Sequence, residues 1–433
     1  MLAMTTGRFP APGAKGVCAD APLRITFASP ATVGKSGKIQ VFKSSQPDTP
    51  VDTIDIGAAT FSDTIAGRVF QQTRPIFIDG NDAVIYLHKK KLVANEAYFV
   101  TIDSGVFLDA AQSPLGAVSG SAWTFSTSAP TPGSFVVSRE GGGDYCTVQG
   151  AVDAIPAASA SPVVISIKNG TYHEIVYITL KNNITLHGED RKKTILAYPN
   201  NDTLQTKLGT KFRAMVEVES SNGLVVENLT LHNTTPQNGS QAEALRVEPG
   251  DQVILRNADF ISLQDTLLLT GRVYVTGSYI EGNVDYIWGK GTVYFDHCEI
   301  KTVGRAGYNV QARNPADKYG YVFVDSKITS DPGITGHILA RIDVTPATGY
   351  PASHVAYVNC QMDKHISPKG WLITPAGTTD TASVRFWEYQ STDLAGVPVD
   401  VSMRDPASRQ LTDVEATMMR DKSVVLAGWA PAP

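Results

Sequence analysis

The chain has 433 residues, with 37 Lys and Arg against 42 Asp and Glu, a formal net charge of −5. That mild acidity excludes the broad basic surface needed for non-specific nucleic-acid binding or docking on an anionic membrane. No run of about 18 apolar residues occurs, which excludes a transmembrane helix, and 42% hydrophobic residues exclude wholesale disorder.

The N-terminal MLAMTTGRFPAPGAKG lacks the apolar stretch of a signal peptide. Either the protein is intracellular, or a signal has been removed and a start Met added; the function read below favours the second, a secreted protein. Segments 24–30, 38–45, 83–90, 97–103 and 122–128 then alternate apolar and polar residues between turn clusters. That pattern predicts a small β-sandwich over 1–130. The stretch resembles bacterial immunoglobulin-like domains and shows no catalytic constellation. Lys89–Lys91 reads as a solvated strand end. The Pro-rich run from Ser128 to Gly133 is a linker.

Beyond the linker, over 131–433, the pattern changes. In 145–155, Val148, Val152 and Ile155 fall at 3–4 spacing, which predicts a short amphipathic helix. Similar apolar, β-rich segments follow, ending at Leu231, Phe260, Ile280, Ile300, Ile328 and Met362; Phe260, Ile280 and Ile300 stand 20 residues apart. A period near 20, made of short strands without intervening helices, predicts an all-β solenoid, a right-handed parallel β-helix. Three places before each segment end stand Asn228, Asn257, Gly277, His297, Asp325 and Asn359, read as a buried polar ladder at a corner. Two places before it stand Leu229, Ala258, Ser278, Cys298, Ser326 and Cys360, read as an inward stack. Cys298 and Cys360 are then two rungs, about 10 Å, apart and remain free thiols. None of the four cysteines forms a CxxC pair and the histidines form no HExxH, so no metal or cofactor is expected.

Asp265 lies five residues past Phe260 and Asp285 five past Ile280. The repeat stacks these carboxylates on adjacent rungs, with Cα atoms about 5 Å apart. Two stacked carboxylates repel, so one is protonated or paired with a cation, which suits one acid and one nucleophile. A solvated Asp pair or a Ca²⁺ site is the plainer reading of spacing alone. Gln264 beside Asp265, in an otherwise apolar stretch, favours use, because an unpaired polar group there is costly.

The motifs GTYHE (170–174), QAEAL (241–245), QDTL (264–267) and GNVDYIWG (282–289) resemble, in order, the signatures of pectin methylesterases, carbohydrate esterases with a β-helix fold. The opening FVVSREGGGDYCTVQGAVDAIP (135–156) and the later YNVQARN, SPKGW and FWEY are similar to that family as well. The resemblance implies Asp285 as nucleophile, Asp265 as general acid then base, Gln264 as the oxyanion stabiliser and Gln241 as the second glutamine of the site. It implies that Arg341 pairs with the nucleophile, with Arg305, five past Ile300, as the rival. The family's Gly-Arg-Pro-Trp tract is replaced here by Ala340-Arg341-Ile342-Asp343, which removes an aromatic sugar platform. Trp288 stands where the family has Phe and is expected, with Val284, to contact substrate. Tyr172 and Glu174 are expected to shape the first rungs, His173 to lie at the surface, and Gln311 and Arg313 to be structural.

The chemistry is coherent in itself. An aimed, ionised carboxylate can attack an ester carbonyl to give an acyl-enzyme. An arginine fork aims it, an amide steadies the oxyanion, and a second carboxyl with raised pKa protonates the poor leaving group. The expected function is hydrolysis of homogalacturonan methyl esters by a monomer, with pectin as its partner and neither nucleic acid nor membrane. The alternatives are a β-helix esterase or thioesterase on a non-pectin ester, or a non-catalytic carbohydrate-binding surface protein. Polygalacturonases and pectate lyases share the scaffold, but the glutamine motifs fit neither.

Overall fold

The computed structural model describes residues 5–432 apart from 74, 160, 207–211, 346–348 and 379. Its contacts divide the chain into two units, Met1–Ile155 with Ile165–Glu174, and Pro156–Val164 with Ile175–Pro433. In the first unit, one antiparallel sheet runs Thr5–Phe9, Leu23–Phe27, Asp82–Ile85, Ile76–Asp79. A second runs Ala14–Cys18, Thr124–Ser128, Ala97–Ile102, Lys38–Lys43, Gln46–Asp55, with its first pair parallel. The alternating residues meet as expected: Leu23, Ile25 and Phe27 of one sheet and Ile39, Val41, Val100 and Phe125 of the other share one buried core. This is a two-layer sandwich.

The first unit also contains the predicted helix, Val148–Ala154, whose Thr147 side chain accepts from the Gly150 N–H. Asp20 accepts from the Cys146 and Thr147 N–H groups, and Glu174 from those of Val148 and Gln149. Carboxylates at a helix start satisfy N–H groups that the helix cannot. Lys89 is therefore not a solvated strand end: its Nζ lies 3.4 Å from Glu174, with both side chains largely buried. His173 is not a surface residue either. Its ring stacks on Phe77 at 4.3 Å, and Nε2 meets Asp79 at 3.0 Å. A Cys18–Cys146 disulfide, which no spacing signals, closes the same corner with Cα atoms 6.0 Å apart.

The second unit is the β-helix. Each turn contributes a strand to each of three parallel faces. Val225–Glu227, Val253–Arg256, Arg272–Thr276, Thr292–Asp296, Tyr321–Val324 and His354–Val358 are neighbours on the first face. Thr230–Asn233, Asp259–Ile261, Tyr279–Gly282, Glu299–Thr302, Lys327–Ser330 and Gln361–Met362 follow on the second. Leu245–Val247, Leu267–Leu269, Val284–Gly289, Tyr308–Ala312, Ile338–Asp343 and Trp371–Thr374 make the third.

The corner between the first two faces is a single residue with positive φ: Asn228, Asn257, Gly277, His297, Asp325 and Asn359, at 46–56°. Gly, Asn and Asp tolerate this left-handed geometry best, which is why they recur. The ladder is half-exposed to exposed rather than buried, and only some neighbours bond, such as Asn257 Nδ2 to Asn228 Oδ1 at 2.7 Å. The next residues, Leu229, Ala258, Ser278, Cys298, Ser326 and Cys360, all point inward and are buried, and both cysteines are free. Stacked rings of Phe295, Phe323 and Tyr357 fill the interior. Among the described residues no helix is long and apolar enough to cross a membrane.

Candidate active site

Asp265 and Asp285 occupy the same corner of adjacent turns. Phe260 pairs with Ile280, Gln264 bridges Val284, and Leu267 pairs with Ile287, so the 20-residue register runs unbroken through both carboxylates. The Asp265 N–H donates to the Val284 carbonyl at 3.1 Å. Both aspartates have positive φ, 68° and 49°. Such strain in non-glycine residues gathers at sites where the surroundings hold it. Toward the next strand the register slips between Val284↔Tyr308 and Ile287↔Val310, a bulge that spans Asp285. Bulges re-aim side chains in this way.

Asp285 is buried and held by an arginine fork. Arg341 Nε donates to Oδ1 at 2.7 Å and Nη2 donates to Oδ2. Arg341 stands on Ile338–Asp343 and reaches across the intervening strand, with its guanidinium 5.0 Å from the Tyr308 ring centroid. The hydrogen bond to Asp285 raises the Arg341 pKa against the opposing effect of burial. The rival Arg305 is exposed on a turn.

Asp265 sits in a different field. Burial pushes its pKa well up, the negative charge of Glu243 and then that of Asp285 add to this, and Arg213 and Arg313 pull the other way. Arg213 Nη2 donates to Asp265 Oδ2 at 2.7 Å. Arg213 also meets both oxygens of the fully buried Glu243 at 3.0 Å.

These groups open onto a cavity of about 480 Å³. Gln241 and Gln264 line it, and neither side-chain amide has a hydrogen-bond partner among the described residues. Trp288 lines it too. The guanidinium of Arg313 lies 4.6 Å from its ring and that of Arg213 5.5 Å. Arg313 also packs against Tyr350 and donates to the Gln311 side chain, but meets no carboxylate among the described residues. Val284 does not line the cavity; it pairs with Tyr308 beneath the site. Asp343 lies outside the cavity lining and accepts from the Thr345 N–H.

The family model described as Pectinesterase matches residues 134–416. The chain belongs to the pectinesterase family. It is an enzyme of that family, a hydrolase on a parallel β-helix. It is 32% identical to pectinesterase 31 of Arabidopsis thaliana over 291 residues, 65% of this chain and 88% of that one. It is 31% identical to probable pectinesterase A of Neosartorya fischeri, over 61% of this chain and 79% of that one. Among solved structures, pectin methylesterase from carrot superposes with TM-score 0.60 at 26% identity, covering 70% of this chain and 95% of that one. A pectin methylesterase in complex with a hexasaccharide superposes with TM-score 0.59 at 26% identity, over 70% of this chain and 100% of that one.

Arg213 and Tyr350 line the cavity, with Glu243 fully buried against Arg213, and no motif singles these three out; Arg313, expected to be structural, lines the cavity as well. A signal did exist. Glu243 in AEAL (242–245) and Arg213 in FRAM (212–215) are each a lone charge amid small and apolar residues. A buried charge must be paired or used.

Proposed function

We propose that Asp285 is the nucleophile and Asp265 the acid, then base, in removing methyl esters from homogalacturonan. The observation that carries this is the unlike setting of two carboxylates on adjacent turns. Asp285 is clamped by Arg341, and Asp265 is pushed toward its protonated form. A pair so divided suits acid–base work.

Asp285 attacks the ester carbonyl carbon, and the tetrahedral oxyanion takes amide donors from Gln264 and Gln241. The C–O bond to methoxide breaks as Asp265 protonates the leaving oxygen, giving methanol and a mixed anhydride with Asp285. Water then attacks the anhydride carbonyl, loses its proton to Asp265, and frees Asp285 and a galacturonate carboxylate. Trp288, Tyr350 and Arg313 form the sugar-binding wall in place of the missing Gly-Arg-Pro-Trp platform. The unmatched cation of Arg313 suits a polyanionic chain. The enzyme acts outside the cell as a monomer, a setting in which a disulfide such as Cys18–Cys146 persists. Residues 1–130 are an accessory domain and 131–433 the catalytic one.

The test is methanol release from highly methylated pectin by the parent and by Asp285→Asn, with unsaturated products and reducing ends followed in the same tubes. The parent releases methanol without scission, and the variant is slower by at least about a thousandfold, as loss of a nucleophile demands. Scission, or a fully active variant, overturns the reading.

A further inference from the structure

Three carboxylates and two forked arginines are packed at the site: Asp265, Asp285 and Glu243 against Arg213 and Arg341. Arg341 is committed to Asp285. Arg213 is shared by two acids, and it shares itself unequally. Its Nε lies 3.0 Å from both oxygens of Glu243, and its Nη2 lies 2.9 Å from Oε1 of the same carboxylate. Asp265 receives one contact, from Nη2 to Oδ2. An arginine keeps its charge even when buried, so the acid with the fuller contact carries the matching negative charge. The half-exposed Asp202, 3.5 Å from Nη1, is the remaining anion near Arg213.

We infer that Arg213 and Glu243 are a positioning pair for the catalytic acid: Glu243 takes up the arginine's charge while the arginine's spare N–H fixes one oxygen of Asp265. The inference rests on the assignment of Asp265 as the acid. With Oδ2 occupied by an N–H donor, the proton of Asp265 resides on Oδ1, which has no hydrogen-bond partner among the described residues. An arginine alone beside Asp265 would hold it ionised and useless as an acid. A bare carboxyl would have no fixed direction. The buried pair supplies direction without the full charge. The charged groups facing Asp265 are Glu243 and Asp285, which favour its protonated form, and Arg213, Arg313 and Arg341, which oppose it.

The experiment is the pH profile of methanol release, with kcat and KM separated, for the parent, Glu243→Gln and the double variant Arg213→Leu/Glu243→Leu. In Glu243→Gln the arginine's charge falls wholly on Asp265. The acid then loses its proton at lower pH, and the alkaline limb of kcat/KM moves down by about one pH unit or more. The double variant removes both charges and leaves no buried ion unpaired, so it still gives a folded protein if the single variant does not. Its kcat falls at least tenfold with KM within twofold of the parent. A profile unmoved in Glu243→Gln, or a double variant with parental kcat, makes the pair merely structural and overturns the inference. A parent that releases no methanol defeats the reading of Asp265 itself, a result distinct from either.

Discussion

The first and third faces of the β-helix each carry a column of paired outward side chains, and the two columns have opposite fates. On the first face it runs Ile254, Tyr274, Tyr294, Val322, Ala356 and Trp387. On the third it runs Glu217, Arg246, Leu268, Trp288 and Gln311. The ladder is parallel in both, and the third face differs by the bulge that spans Asp285. The apolar column is roofed by the C-terminal helices Asp413–Arg420 and Lys422–Val425, whose Ala416, Met419, Val425 and Leu426 join Tyr274, Tyr294, Val322 and Ala356 in one cluster. The second column starts at the fully buried Glu217, and from Arg246 to Gln311 it walls the cavity. A parallel solenoid offers many equivalent surfaces. What the side chains want, cover or water, decides which one becomes a site.

The contrast can be broken first on the open side. Gln264→Leu keeps volume but removes an oxyanion donor, and loss of one such donor costs about 2.7–4 kcal/mol in other hydrolases. Methanol release therefore falls roughly 100- to 1000-fold in kcat, while the melting temperature stays near that of the parent. A variant with parental kcat would take Gln264 out of the oxyanion role. The covered side answers the other way. Met419 is buried in the roof, and Met419→Ala removes that packing. The cost is about 2 kcal/mol, at the low end for buried Met because a terminal helix can settle into the gap. Urea unfolding of the second unit shifts accordingly and kcat does not. A drop in kcat at fixed stability would mean that the two faces are coupled.

Much of this was legible because the β-helix writes its geometry locally. The 20-residue steps put Asp265 over Asp285, and the recurrence of Asn, Gly and Asp at the corner marks a backbone position that few residues tolerate. The inward column announced itself by small and apolar residues at a fixed offset. What stayed hidden is non-local. Cys18 and Cys146 are 128 residues apart. Arg213 meets Glu243 one turn on and Asp265 two turns on, 30 and 52 residues along the chain, and the turns are too irregular in length for a fixed offset to align the three. Lys89 looked like part of a solvated basic run because its partner Glu174 lies 85 residues away. Periodicity fixes which residues share a column, but not which column is roofed or which charges pair across irregular turns.

The smallest effect sharpens the comparison from inside the third face. His337 immediately precedes the strand that carries Arg341 and is fully buried. Its Nδ1 accepts from the Gly307 N–H at 2.8 Å, and Nε2 meets Asn309 Oδ1 at 2.6 Å, a pattern only the neutral ring with its proton on Nε2 satisfies. Burial, and then the neighbouring His365, lower its pKa from the ordinary 6.5 to about 3. A histidine depressed in the folded state contributes its full stability above pH 6.5 and loses it as pH falls toward 3, because the unfolded chain binds the proton first. One such group costs about 1.4 kcal/mol per pH unit once below 6.5. Measured against His337→Leu, the parent's urea midpoint therefore holds level near neutrality and falls from pH 6 to pH 4. His337→Leu, less stable at pH 7 for want of its two hydrogen bonds, has the shallower slope. Equal slopes would place the acid sensitivity elsewhere. The roofed first face holds a buried histidine of its own, His354, also pushed well down by burial, so His354→Leu is the matched control. It flattens the same slope, but only His337→Leu also lowers kcat, since only His337 stands one residue before the strand that aims Arg341 at Asp285.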